Sequence, residues 1–211
     1  TLSLTLFLLY SPLKRPYNTL DNRAGSASSL PLDPEECIFM ADTANCLHVY
    51  FGEAKGKTTA SMGLALRALG HGLRVTVVQF LKDGCSGELT PLRELGAAVY
   101  SGMESAGFVF QMSGEEKASL REQQGLLLKK TMEEPCGLLI LDEACAALQL
   151  GMVEDSLLRQ AVLLRPEGME VVITGREPAP WMLEAADYST EMRCRRHPYS
   201  RGTAARKGVE F

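Results

Sequence analysis

The chain has 211 residues, of which 45% are hydrophobic, and this is enough for one globular domain with a buried core. Its 22 basic and 26 acidic side chains give a formal net charge of −4, which argues against broad nucleic-acid binding. Six cysteines without a C-x-x-C pair, with only three histidines, argue against a structural zinc site and are typical of a reducing cytosol. We therefore predict a cytoplasmic protein.

Residues 1–46 are expected to form an irregular N-terminal extension. Residues 11–46 are rich in Pro, Ser, Asn and Asp and show little hydrophobic periodicity, and a short strand or an upstream stretch outside the domain is an equal alternative. The apolar stretch at 2–10 is too short to span a bilayer and lacks the preceding basic region of a signal peptide. We expect no membrane association, and we place the folded domain at 47–211.

A strand, a loop rich in glycine and lysine, and a helix are expected next. Residues 47–51 form an apolar run, and apolar residues recur at helical spacing over 58–69. Between them the chain reads Gly52-Glu53-Ala54-Lys55-Gly56-Lys57-Thr58-Thr59. The N–H groups of such a turn and of the helix start point at one anion, and a lysine adds charge, so we predict a phosphate-binding loop. The alternative is a glycine turn that only links strand and helix.

The loop is one residue shorter than usual. Three residues separate Gly52 from Gly56, where a standard P-loop has four. A shorter loop holds a phosphate chain differently, so transfer of the terminal phosphoryl group does not follow automatically.

A second motif lies some eighty residues further along the chain. Four apolar residues at 138–141 precede Asp142 and Glu143, which predicts a buried strand that carries carboxylates at its C-terminal edge. Ligands bind at that edge of parallel α/β sheets. One of the carboxylates can hold Mg²⁺ together with a loop threonine. A hydrogen-bonded helix cap is the alternative role for Asp142.

Strands and helices alternate along the remaining chain. Strands are expected at 74–80, 97–100, 138–141 and 170–174, and helices at 88–95, 113–134, 154–164 and 180–185. This order predicts an α/β, RecA-like P-loop NTPase fold, with a mainly parallel sheet and helices on both faces. We expect one strand to lie between the two phosphate-site strands, in sequence and in space.

Several of these segments together resemble the P-loop family of corrinoid adenosyltransferases. They are residues 52–59, 63–72, 77–82, 87–88, 141–143, 173–176, 185–187 and 197–211. The resemblance covers residues 47–211 in order, and its most specific parts are the short loop and the Val-Gln-Phe-Leu-Lys run at 78–82. It implies that a reduced Co(I) corrinoid attacks the 5′ carbon of ATP and that triphosphate leaves. In that chemistry the corrinoid supplies the nucleophile, so the protein positions the reactants and stabilises the leaving group.

The resemblance also implies roles for individual residues. The catalytic set is Lys57, Thr58 and Glu143. Thr58 and Glu143 are the expected Mg²⁺ ligands, with Asp142 in support. The expected ATP contacts are Gly52, Glu53, Ala54, Lys55, Gly56, Lys57, Thr58, Thr59 and Arg176, and the expected corrinoid contacts are Phe108, Phe110, Gln79 and Lys82.

Two positions depart from the family pattern. Phe110 stands where the family carries a tryptophan, in a loop whose aromatics pack under the corrin and displace its lower axial ligand. A buried strand is the alternative for Phe108 and Phe110. Ala54 replaces a glycine, which would strain the loop if that position needs a positive φ.

The resemblance further implies partners, and two other function classes stay open. An electron-donating reductase or flavoprotein is expected to supply the reduced corrinoid, and the family tends to form homodimers. One alternative is a RecA-like ATPase or small-molecule kinase, which would attack at the γ-phosphate. Another is a non-catalytic protein that binds corrinoid or nucleotide.

Overall fold

The computed structural model describes residues 46–102, 109–134 and 136–210. Within these ranges the strands are β1 (Leu47–Phe51), β2 (Val75–Gln79), β3 (Ala98–Ser101), β4 (Leu138–Asp142), β5 (Glu170–Thr174) and β6 (Tyr188–Glu191). The α-helices are α1 (Lys57–Gly70), α2 (Leu89–Glu94), α3 (Gly114–Glu133), α4 (Ala144–Gln149), α5 (Asp155–Leu163) and α6 (Pro180–Ala185). The predicted extension lies outside the described residues, apart from Cys46.

All six strands pair in parallel, in the order β3-β2-β4-β5-β1-β6. The predicted α/β class with a parallel sheet is therefore confirmed. One strand does separate β1 from β4 in space, but it is β5, which follows both of them in sequence. The expectation of a strand that lies between them in sequence as well was wrong, because β2 and β3 pair on the far side of β4.

Helices cover both faces of the sheet, because strand residues alternate between the faces. On one face Val77 and Ile140 pack with Met62 and Ala65 of α1. On the other face lie apolar residues of α3 to α6, in contact with Val49, Leu141 and Ile173 among others. Strand β4 is buried along its whole length, including Asp142 at its C-terminal end.

Most of the described strands and α-helices begin and end within two residues of their predicted bounds, and two of them were not predicted. Strand β5 and helix α6 match their predictions. The long helix α3 begins at the predicted cap, where Ser113 and Glu116 form a reciprocal capping box. Helix α4 was missed, and β6 was missed because all four of its residues are exposed and show no alternation.

The second aromatic of the predicted corrin loop does not lie in a strand. Phe110 belongs to a 3₁₀ helix, Val109–Gln111, and it is 75% exposed. The buried-strand alternative was therefore wrong for this residue, whereas Phe108 lies outside the described residues. No helix within the described ranges has the length and apolar character that a membrane crossing requires.

Candidate active site

The glycine-lysine loop turns sharply at its two glycines. Gly52 and Gly56 have φ of 103° and 118°, which side-chain-bearing residues rarely adopt. Gly52 N donates to the Arg176 carbonyl at 3.0 Å, and Ala54 N donates to the Met192 carbonyl at 3.0 Å. The residues that follow β5 and β6 thus hold the loop from outside. Ala54 has no positive φ, so the alanine there does not strain the loop.

Replacing Gly52 by alanine is expected to destabilise the protein by about 2 kcal/mol, through strain at a positive φ and a clash. An added Cβ would lie 2.6 Å from the Met192 carbonyl oxygen, and that oxygen belongs to the backbone. Urea denaturation measures the loss. The matched control is Gly63→Ala on α1, where no atom outside the adjoining residues and the local helix backbone lies within 4 Å of the added Cβ, and stability should rise by about 0.5–1 kcal/mol. Equal effects of the two variants would contradict this description of the loop.

Lys57, the first residue of α1, reaches back across the loop. Its ammonium donates to the carbonyls of Gly52 at 2.7 Å and Ala54 at 2.8 Å. Burial lowers the pKa of Lys57, and the nearby Glu143 carboxylate opposes that shift. A partly desolvated ammonium is thereby placed beside the first-turn N–H groups of α1, which have no intrahelical acceptors. This combination of donors suits a phosphate chain.

Asp142 is the centre of a polar network at the end of β4, and its side chain is fully buried. Its Oδ1 accepts hydrogen bonds from Thr58 Oγ1 at 2.9 Å and Thr174 Oγ1 at 2.7 Å. Its Oδ2 accepts from Gln79 Nε2 at 3.1 Å and Lys82 Nζ at 2.6 Å. The ends of β2, β4 and β5 and the start of α1 therefore meet on one carboxylate. Asp142 does not cap α4, because Glu143 occupies the cap position.

Glu143 lies beside this network in a strained conformation. Its φ is 61°, unusual for a residue other than glycine, and its N–H donates to Thr174 Oγ1 at 3.0 Å. Burial raises the pKa of its carboxyl, the charge of Asp142 adds to the shift, and Lys82 opposes it. Strain of this kind persists where the surroundings fix it, and it is concentrated at functional sites. A carboxylate with a raised pKa is one that gains from an added cation.

The oxygen ligands here fit a hard cation. Thr58, Asp142 and Glu143 supply one hydroxyl and two carboxylates, and Mg²⁺ in phosphate sites usually takes one or two carboxylates plus substrate oxygens and waters. The Lys82 ammonium already lies between Thr58 Oγ1, at 3.3 Å, and Asp142 Oδ2, so the position accepts positive charge. Across the described part of the chain, no group of three or more His, Cys, Asp or Glu side chains could hold a metal by itself. The phosphates would have to complete such a site.

A cleft of about 400 Å³ opens beside the loop. One side is formed by Thr58 and Thr59 of α1, and Lys82 and Glu88 line it after β2. The C-terminal residues Gly208, Val209 and Glu210 form part of its wall. The cleft therefore joins the phosphate loop to the end of the chain.

Comparison with known proteins decides the family. The model of the family described as ATP:corrinoid adenosyltransferase BtuR/CobO/CobP matches residues 43–211. This chain belongs to that family. A corrinoid adenosyltransferase of Pseudomonas aeruginosa is 36% identical over 173 residues, which cover 81% of this chain and 85% of that protein. One of Escherichia coli K12 is 32% identical over 173 residues (81% and 87% covered), and one of Salmonella typhimurium is 31% identical over 169 residues (77% and 84%).

Membership of the adenosyltransferase family argues against the other functions that the sequence left open. An ATPase, a kinase and a non-catalytic binder are not favoured, and the chain is an ATP:corrinoid adenosyltransferase by family. The roles of individual residues stay predictions. The structure brings Lys57, Thr58, Asp142, Glu143, Gln79 and Lys82 together at the C-terminal edge of the sheet.

The other predicted contacts lie around this centre. Glu53, Lys55 and Thr59 are exposed on the loop and on the first turn of α1. Arg176 follows β5, its carbonyl holds Gly52, and its guanidinium is close enough to affect the pKa values of Lys57 and Glu143. Gln79 is fully buried and turned toward Asp142.

Sequence reasoning missed two contributors to this adenosyltransferase site. Thr174 joins Asp142 to the Glu143 N–H, and its signal was available, since it ends a parallel strand. The Met192 backbone holds the loop, and nothing in the sequence marks it, because a backbone contact places little demand on residue type.

Cys145 lies one turn from the site but is no nucleophile. It is buried, and desolvation together with the Glu143 charge raises its pKa to about 12. The thiol is therefore protonated and inert at neutral pH. This agrees with a reaction in which the nucleophile belongs to the corrinoid substrate.

Proposed function

We propose that this protein transfers the 5′-deoxyadenosyl group of ATP to the cobalt of a Co(I) corrinoid and releases triphosphate, in adenosylcobalamin biosynthesis or salvage. The observation that carries the proposal is the short loop, whose Lys57 lies near the Glu143 carboxylate and whose Thr58, at the helix start, donates to Asp142. A loop of this kind holds the three phosphates as one leaving group, with C5′ turned toward the second substrate.

Stabilisation of the leaving group is assigned to the loop. As the C5′–O bond breaks, negative charge grows on the triphosphate, and preorganised donors at that position lower the barrier. Lys57 would exchange its two carbonyl partners, Gly52 and Ala54, for phosphate oxygens. Lys55 and Arg176 would add positive charge at the rim. The N–H groups from Gly56 to Thr59 would line the phosphate chain, since those of Gly52 and Ala54 hold the loop.

A magnesium ion is assigned to the end of β4. Thr58 and Glu143 would be its direct protein ligands, and Asp142 would orient Thr58 through their hydrogen bond of 2.9 Å. When bound, Mg²⁺ neutralises phosphate charge and fixes the geometry of the triphosphate.

The corrinoid is assigned to the aromatic side of the site. Phe108 and Phe110 would form an apolar wall under the corrin. Gln79, the last residue of β2, and Lys82 would contact the corrin or the nucleotide. An electron-donating reductase or flavoprotein would supply the Co(I) state. A cytoplasmic homodimer of residues 47–211 preceded by an irregular extension is the proposed form of the protein.

The proposal is tested by anaerobic incubation of the protein with ATP, Mg²⁺ and chemically reduced cob(I)alamin. The corrin spectrum should change to that of an alkylated cobalamin, at a rate proportional to protein concentration. A spectrum that stays that of cob(I)alamin, with the folded protein and saturating ATP, would overturn the proposal.

Glu143→Gln is expected to raise the Mg²⁺ concentration needed for half-maximal ATP binding by about tenfold, since a charged ligand becomes neutral. The fold should persist, because the Glu143 N–H, which bonds Thr174, is unchanged. Calorimetric titration with ATP at several Mg²⁺ concentrations measures the shift. The control is Glu115→Gln in the first turn of α3. An unchanged Mg²⁺ dependence would move the metal contact to Asp142.

Phe110→Ala is expected to slow the reaction that starts from cob(II)alamin with a biological reductant more than the reaction supplied with cob(I)alamin. The wall excludes water and the axial base, which favours reduction, and chemical reduction bypasses that step. Since Phe110 is 75% exposed, unfolding free energy should change by less than about 0.5 kcal/mol. Equal losses in the two assays would remove Phe110 from the corrin wall.

A further inference from the structure

The residues around Lys82 in the sequence do not predict where its side chain lies. Its ammonium lies 2.6 Å from Asp142 Oδ2 and 3.3 Å from Thr58 Oγ1. These are the buried carboxylate at the end of β4 and the hydroxyl in the first turn of α1. The same two groups flank the proposed magnesium position.

The backbone directs Lys82 to this point. Phe80 N donates to the Asp142 carbonyl at 3.0 Å, so the chain after β2 stays in register with β4. Leu81 then turns with φ of 57°, one of two described residues other than glycine with a positive φ, and Glu143 is the other. The two strained residues therefore follow neighbouring strands, and one of them brings the lysine stem back over Asp142.

The charge balance explains why a cation is held here. Asp142 is fully buried, and a buried carboxylate needs a counter-charge. Its two hydroxyl donors and the Gln79 amide are neutral, so Lys82 supplies the only positive charge among the hydrogen-bond donors described around Asp142. Two cations within 3–4 Å of each other repel strongly inside a protein. An ammonium at this point and a divalent ion beside Thr58 therefore exclude each other.

We propose that Lys82 is a tethered counter-ion, which holds the magnesium position when no divalent cation is bound and is displaced when the cation arrives with the nucleotide. The inference rests on the metal position in the proposed function. The Lys82 side chain is 26% exposed and lines the cleft with Thr58, so its flexible stem has room to leave Asp142. The arriving triphosphate offers the displaced ammonium a new anionic partner. The protein would thus bind the metal weakly alone and tightly with ATP.

The test is titration of the protein with Mn²⁺ in the absence of ATP and corrinoid, in which electron paramagnetic resonance counts the free ion. Lys82→Met removes the competing charge and should tighten Mn²⁺ binding by about tenfold or more. Lys82→Arg keeps the charge and should bind Mn²⁺ as the unsubstituted protein does. Lys55→Met removes an exposed charge from the neighbouring loop and controls for net charge alone. Lys82→Gln, which can still donate to Asp142, replaces Lys82→Met if the latter does not fold.

Tighter binding in the neutral Lys82 variants, without a matching change in Lys55→Met, supports the tethered counter-ion. Unchanged Mn²⁺ affinity in those variants would overturn it, and so would an equal gain in Lys55→Met. The titration uses neither ATP nor corrinoid, so a negative result would not contradict the proposed adenosyl transfer. Failure of adenosyl transfer from ATP would not alter the Mn²⁺ result.

Discussion

Replacing Lys57 by alanine is expected to lower kcat by a factor of ~10²–10³, the usual effect of removing one preorganised charge donor. The lysine is partly desolvated and already held across the loop by the Gly52 and Ala54 carbonyls. Its interaction with the triphosphate would be strongest in the transition state, when negative charge develops on the leaving group. The loss should therefore fall on kcat more than on KM for ATP.

The control for Lys57→Ala is Lys129→Ala, an exposed lysine on α3, which should keep full activity. Lys57→Arg retains the charge with a different shape and should recover part of the lost rate. A near-normal kcat for Lys57→Ala, measured with cob(I)alamin and saturating ATP, would remove Lys57 from the leaving-group site.

Replacing Asp142 by alanine is expected to lower the free energy of unfolding by ~3 kcal/mol and to abolish measurable turnover. Asp142 accepts hydrogen bonds from two hydroxyls, one amide and one ammonium, and it joins the ends of three strands to α1. Without the carboxylate, these donors lose their common acceptor, and two of them, the Gln79 amide and the Thr174 hydroxyl, belong to fully buried residues. Urea denaturation measures the stability, and the assay with cob(I)alamin measures the rate.

Asp142→Asn should cost less stability than Asp142→Ala, for a reason specific to Gln79. The Gln79 Oε1 is buried and has no hydrogen-bond partner among the described residues. A flip of that amide would let Oε1 accept from the new asparagine NH₂, while the remaining asparagine oxygen serves Thr58 and Thr174. Equal stability of the alanine, asparagine and unsubstituted proteins would show that this network does not hold the strand ends together.

The local parts of the site could be predicted from the sequence because they depend on residues that are near each other in the chain. The loop from Gly52 to Thr59 needs glycine at its turns, and the two positive φ angles fall on Gly52 and Gly56. The apolar run before Asp142 predicted a buried strand, and β4 is buried throughout. The phosphate-binding loop and the strand that ends in Asp142 are each determined by one continuous segment of the chain.

Contacts between distant segments could not be predicted in the same way. Strand β5 lies between β1 and β4 in the sheet. The hydrophobic pattern predicts the strands but does not specify their order within the sheet. The contact of Lys82 with Asp142 could not be predicted from the sequence, because it depends on the turn at Leu81, and the corrinoid role of Lys82 stays a prediction. Thr174 ends a predicted strand, but the sequence does not show that its hydroxyl meets Asp142. Met192 acts through a backbone carbonyl, which no residue pattern marks.

The identity of the phosphorus product tests most directly the claim that the short loop holds the whole triphosphate as a leaving group. Phosphorus-31 NMR of a reaction with ATP, Mg²⁺ and cob(I)alamin should show inorganic triphosphate, formed in a one-to-one ratio with the adenosylated corrinoid. Omitting the corrinoid should leave ATP intact. Formation of ADP and phosphate in place of triphosphate would mean attack at the γ-phosphate and would contradict the account.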